Sequence, residues 1–217
     1  MAGGIGSRFW PMSTPEVPKQ FIDVLGTGRS MIQMTYDRFC KGEGALCKPQ
    51  NVWIVTSEKY VDLVRAQLPE VPEANILPEP ASRNTAPCIA YACWKIARVN
   101  PDSNIVVSPA DAFVLDSAEY RRVIGTALSL TASSTRIFTV GIKPLRPETG
   151  YGYLETGEAL GEEAFKVTAF KEKPDAPTAA KYIRDGRYLW NAGIFVWKLS
   201  TITAALREYA PGICSIM

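Results

Sequence analysis

Short β-branched runs alternate with amphipathic helical stretches along most of this chain, and that alternation constrains its fold more than any other feature. Asn51–Thr56 (NVWIVT) is expected as a buried strand. A helix should follow from about Glu58 to Leu68, with Val61, Val64 and Leu68 on one face. Asn75–Leu77 reads as a short strand and Thr85–Val99 as a helix, with Ile89, Cys93, Ile96 and Ala97 forming its apolar stripe. Pro87 is tolerable in that helix's first turn. The strand Asn104–Ser108 precedes a helix starting near Ser117, where Asp116 and Glu119 have capping-box spacing. Arg136–Ile142 (RIFTVGI) is a further buried strand. This β-α-β-α order predicts an α/β fold whose sheet is mostly parallel and flanked by helices. From Thr149 the pattern changes to glycines and shorter strands at Gly152–Glu155, Phe165–Lys171 and Ile194–Lys198. The expected organisation is one domain, with residues 1–148 and 149–217 as two continuous parts.

At 217 residues, 47% hydrophobic and 21% charged, the chain can bury a core of its own. A net charge of +2 does not argue for nucleic acid or a membrane surface as partner. No apolar run reaches spanning length and no secretory leader opens the chain, so a cytoplasmic protein is expected. The five cysteines are odd in number and lack metal-ligand spacing, which predicts free thiols. There is no histidine, which removes Ser-His-Asp and Cys-His relays. Chemistry must run on carboxylates, lysines, arginines, backbone amides and metal ions.

The opening run, Ala2-Gly3-Gly4-Ile5-Gly6-Ser7-Arg8-Phe9-Trp10-Pro11, is followed by Pro18-Lys19-Gln20-Phe21. Glycines let the backbone approach an anion, and consecutive N–H groups can form a nest around it. Arg8 and Lys19 add two positive charges, so the parts suit a triphosphate. A bare G-G-x-G is as readily a turn, and the loop is neither a Walker A motif nor a dinucleotide fingerprint.

The fuller pattern, G-G-x-G-x-R-x-x-P followed by P-K, resembles the signature of the sugar-1-phosphate nucleotidyltransferases. Four more segments match that family in order: Glu79-Pro80-Ala81-Ser82-Arg83-Asn84-Thr85-Ala86, Ser108-Pro109-Ala110-Asp111, Pro147–Tyr153, and Phe170–Pro174 with Trp190–Phe195. The resemblance covers nearly the whole chain. It implies a Rossmann-like nucleotide-diphospho-sugar transferase fold with a small sugar-facing β lobe. It also implies that Arg8 and Lys19 are catalytic, holding phosphates beside Ala2, Gly3, Gly4 and Gly6. The E-P-x-x-R-N-T-A form is closest to the guanylyltransferase branch, with Glu79, Asn84 and Thr85 at the nucleotide. A carboxylate can accept both donors on guanine's Watson–Crick edge. Helix capping by Asn84 and Thr85 is the plainer reading of the same residues.

By the same resemblance Asp111 binds Mg2+, and Gly152, Glu172, Lys173 and Asn191 meet the sugar phosphate. An ordinary loop aspartate and a charged E-K-P turn are the bland alternatives. Ala112 departs from the histidine usual after that aspartate. The implied substrates are GTP and mannose 1-phosphate, with GDP-mannose as product; a homo-oligomer is compatible. Rival readings are glucose 1-phosphate with UTP or dTTP, and a non-catalytic nucleotide-sugar regulator. In the family a central strand, V-I-M-A-G-G, leads into the glycine loop, and a second metal-binding aspartate lies downstream. Here the chain opens at Met1 and stops at Met217, so a piece trimmed at both ends, with impaired turnover, is expected.

Overall fold

A computed structural model describes residues 1–2, 9–80, 84–161 and 163–215. The chain divides into two units, residues 1–137 with 196–217, and residues 138–195.

The first unit carries the alternating elements. Helix α1 (Met31–Cys40) leads to strand β1 (Ile54–Ser57), helix α2 (Val61–Gln67) and strand β2 (Ile76–Glu79). Helix α3 (Thr85–Ala97), strand β3 (Asn104–Val107) and helix α4 (Ser117–Ala132) follow. The apolar face foreseen on α2 is the buried one: Val64 is 0% and Leu68 1% exposed. Each such side chain contributes roughly 1.5–3 kcal/mol by leaving water. α1, absent from the sequence reading, begins with a reciprocal capping box between Ser30 and Gln33. At α4, Asp116 accepts from the Glu119 amide at 2.9 Å, but the Glu119 carboxylate turns to Arg122, so only half the expected box forms.

The second unit holds β4 (Phe138–Ile142), β5 (Tyr153–Ala159), β6 (Phe165–Lys171), helix α5 (Ala176–Asp185) and most of β7 (Tyr188–Lys198). Asp175 caps α5 by accepting from Thr178 N at 2.9 Å, and Gly186 ends it in the left-handed conformation. Its core is aromatic: Tyr153, Tyr188 and Trp190 are buried, with Tyr182 stacked on Tyr188 at 4.0 Å. β7 ends in the first unit, which then closes with α6 (Leu199–Tyr209) and α7 (Pro211–Cys214).

The mixed α/β character is as expected, but a mostly parallel single sheet is not what forms. β1 and β2 make a two-stranded parallel pair. The other strands form a five-stranded sheet in the order β3-β7-β5-β6, with β4 also on β7. In it β5 runs antiparallel to both β6 and β7. An apolar cavity of about 560 Å³, lined by Trp53, Val55, Cys88, Ile89, Ile105 and Val107 among others, lies between β1 and β3. Among the described residues, Met1 and Ala2 bridge its end. Ala2 N donates to Val55 O at 2.9 Å, and Met1 O accepts from Ala110 N at 3.0 Å.

All five cysteines are free thiols, as expected. Burial pushes Cys40 and Cys93 up to about 12 and Cys88 to about 11, so these three thiols stay protonated at neutral pH. No helix among the described residues is long and apolar enough to cross a membrane.

Candidate active site

In the first unit the chain brings Lys19 and Asp111 together. Lys19 opens a single 3-10 turn (Lys19–Phe21), and Asp111 follows β3. The Lys19 ammonium forms an ion pair with Asp111 Oδ2, and the two side chains are 26% and 30% exposed. The ammonium also sits 5.5 Å from the Phe9 ring centroid.

Buried hydrogen bonds hold both partners. Gln20, 2% exposed, donates through Nε2 to Ala2 O at 3.0 Å. The same carbonyl accepts from Thr56 Oγ1 at 2.9 Å, so the start of the glycine loop is tied to β1 and to the lysine turn at once. Beside Asp111, Ala110 N is fixed by Met1 O, and Ala110 O accepts from Thr35 Oγ1 at 3.5 Å. Ala112 O accepts from Arg38 Nη2 at 2.8 Å. Sequence reading missed Gln20, Thr35 and Arg38. Nothing in their local sequence reveals a distant partner.

Glu79 lies at the end of β2, opposite Ser57 of the parallel pair. Burial raises its pKa above the ordinary carboxylate value, with a hydrogen bond from Cys88 pulling the other way. Met1 N donates to Ser108 O at 3.0 Å. Asn84 stands at the N-cap position of α3 but makes no side-chain cap bond. Its backbone sits at φ 71°, ψ −175°, a region that is essentially glycine's. The plain capping reading therefore fails for Asn84, whose side chain is exposed. Thr85 is the exposed first residue of α3. Gly3, Gly4, Gly6 and Arg8 lie outside the described residues, as do residues 81–83.

The second unit contains Gly152, Glu172, Lys173 and Asn191. Gly152 leaves little room for a side chain: a Cβ would meet Phe170 Cε1 at 3.0 Å and Glu172 Oε2 at 3.2 Å, so both would have to give way slightly. Gly152 O accepts from Asn191 N at 2.8 Å, so three of the four predicted residues converge. Asn191 Oδ1 accepts from Thr139 Oγ1 and Gly193 N, both at 3.1 Å, leaving its NH2 as the group to offer a ligand. Glu172 and Lys173 pair with each other at 3.0 Å and are 61% and 62% exposed. Lys173 has a positive φ of 38°.

Among the described residues no three His, Cys, Asp or Glu side chains cluster. Asp111 alone still fits a Mg2+ site, because that ion commonly takes one or two carboxylates and fills its shell with water and phosphate oxygens.

The model of the family described as nucleotidyl transferase matches residues 1–216. The chain belongs to the nucleotidyl transferase family. Among its relatives, this nucleotidyl transferase is 39% identical to a mannose-1-phosphate guanylyltransferase of Salmonella muenchen, over 98% of this chain and 44% of that protein. It is 38% identical to a mannose-1-phosphate guanylyltransferase of Escherichia coli K12, over 98% of this chain and 45% of that one. It thus spans less than half the length of these relatives. A solved structure from Thermus thermophilus, described as a mannose-1-phosphate geranyltransferase, superposes with a TM-score of 0.87 at 30% identity. That match covers 98% of this chain and 60% of the other. UDP-glucose pyrophosphorylase bound to UDP-glucose, at 17% identity and a TM-score of 0.60, shares the fold.

Proposed function

We propose that this chain carries the substrate-binding residues of an enzyme that transfers GMP from GTP to α-D-mannose 1-phosphate, giving GDP-mannose and pyrophosphate. The observation that carries the reading is the Lys19–Asp111 pair, set by buried hydrogen bonds in a chain of this family.

A phosphate oxygen of the sugar phosphate attacks the α-phosphorus of GTP. The new P–O bond forms as the bond to the β-phosphate oxygen breaks, and pyrophosphate leaves with that electron pair. The attacking monoester has a second pKa near 6, so it is ionised at neutral pH and needs no general base. A chain without histidine can therefore support the reaction. What the chain must supply is alignment and positive charge. Lys19 and Arg8 bring two cations to the triphosphate, and the Gly3–Gly6 amides add donors. Asp111 would hold Mg2+, which neutralises charge on the phosphates when bound. Glu79 accepts from guanine N1–H and the 2-amino group, and Asn84 and Thr85 line the same nucleotide. In the second unit Glu172 and the Asn191 amide address sugar hydroxyls, Lys173 meets the sugar's phosphate, and Gly152 lets the backbone come close.

Pyrophosphate release from mannose 1-phosphate, measured with GTP, ATP, UTP and dTTP in Mg2+, tests this on a chain extended to its relatives' length. GTP alone should support release. Release with UTP or dTTP instead would replace the guanine assignment, and no release despite nucleotide-sugar binding would replace the enzymatic one.

A further inference from the structure

Arg38 is a buried cation with no counter-ion among the described residues. It lies in the last turn of α1 and is 4% exposed. No described carboxylate pairs with it, and its neighbour Asp37 is taken by Arg29 and Lys41. Its Nε has no hydrogen-bond partner among the described residues. Taking a guanidinium out of water costs several kcal/mol unless other groups compensate, so such a residue calls for a reason.

The compensation is directed at one place. Nη2 donates to Ala112 O and to Thr35 Oγ1, each at 2.8 Å. Thr35 donates its own hydroxyl proton to Ala110 O. The two carbonyls flanking Asp111 are thereby held by one arginine–threonine unit on α1. The arginine is itself fixed: its guanidinium lies 5.5 Å from the Tyr120 ring centroid, and its carbonyl accepts from Arg121 Nε at 2.8 Å. Tyr120 and Arg121 are successive residues of α4, so α1 and α4 together brace the loop.

We infer that Arg38, acting with Thr35, is a positioning residue that sets the Asp111 carboxylate for a metal–nucleotide complex. The inference rests on the assignment of Asp111 above. Outer-shell groups that orient a ligating carboxylate typically contribute ten- to a hundredfold in metal affinity. A residue that merely stabilised the fold would weaken nucleotide binding equally with and without metal.

The test measures the affinity of a fluorescent GTP analogue with and without Mg2+ on Arg38→Met, Arg38→Lys, Thr35→Val and Asp111→Asn. Val64→Ala serves as a control for lost stability in the same unit. The readout is the ratio of the two affinities, the gain due to metal. Asp111→Asn should abolish the gain. Arg38→Met should cut it about tenfold, with Thr35→Val and Arg38→Lys intermediate, while Val64→Ala keeps the ratio at a lower melting temperature. If Arg38→Met does not fold, Thr35→Val and Arg38→Lys decide. An unchanged ratio in the folded Arg38 and Thr35 variants, with the gain lost in Asp111→Asn, overturns the role of Arg38 alone. An unchanged ratio in Asp111→Asn removes the metal assignment and the inference with it.

Discussion

The two units carry charged pairs of opposite design. Lys19 and Asp111 come from distant parts of the sequence, are mostly covered, and are held through Gln20, Thr35 and Arg38. Glu172 and Lys173 are adjacent in sequence, mostly exposed, and bonded chiefly to each other. A covered pair on a fixed backbone keeps its geometry without ligand, whereas an exposed pair contributes about 0–1 kcal/mol and is free to rearrange. Preorganisation is thus concentrated on the side assigned to the triphosphate, where the charge to be met is greatest. The side proposed for the sugar relies on backbone: the Gly152–Asn191 hydrogen bond and the absence of a side chain at residue 152.

If that contrast is real, the largest loss should come from the covered pair. Lys19→Met should lower the transfer rate on the order of a hundredfold or more, by analogy with deleting one preorganised donor. Stopped-flow or coupled pyrophosphate assays would show it, and a loss under tenfold would break the comparison. The pH dependence of GTP affinity comes next. Burial raises the Glu79 pKa, so the carboxylate proposed to accept from guanine is lost at a higher pH than an ordinary glutamate's. GTP affinity should fall as pH drops toward, and before reaching, the usual value of 4.5, and Glu79→Gln should flatten that profile. The sign for the unliganded fold is opposite. A raised carboxylate pKa favours the folded state below the unfolded value, and that contribution is lost as pH rises through the folded one.

On the sugar side smaller, KM-type effects are expected. Gly152→Ala would drive a methyl group against Phe170 and Glu172, displacing the carboxylate. The KM for mannose 1-phosphate should rise roughly tenfold, the equivalent of about 1.4 kcal/mol within the usual cost of overpacking, while GTP affinity holds. Equal losses for both substrates would show that the two sides are not independent. The smallest effect is expected at Asn84, whose backbone occupies a glycine-like region. Asn84→Gly should stabilise the fold by about 1 kcal/mol in chemical denaturation and weaken nucleotide binding slightly.

The contrast also explains what could be read from sequence. Local features were legible: the α2 face of Val64 and Leu68, the Asp116 cap and the extent of β6 all follow from near-neighbour chemistry. Strand pairing was not. Tyr153 of β5 pairs antiparallel with Trp190 of β7, across β6 and α5, and nothing in either strand's pattern specifies that partner. Of the candidate site, the motifs named Lys19 and Asp111, and the structure brings these two together. The site was not legible at Gln20, Thr35 and Arg38, because their roles arise only once α1, β1 and the loop after β3 are assembled.

The ion pair on Asp111 also fixes how this part of the first unit rests. The Asp111 carboxylate is already neutralised by an ammonium group of the same chain, so any cation proposed for it would have to compete with Lys19. Lys19 is tethered two residues from Phe21, which is buried, and cannot drift far. While the pair holds, each charge screens the other and neither side chain is left bare.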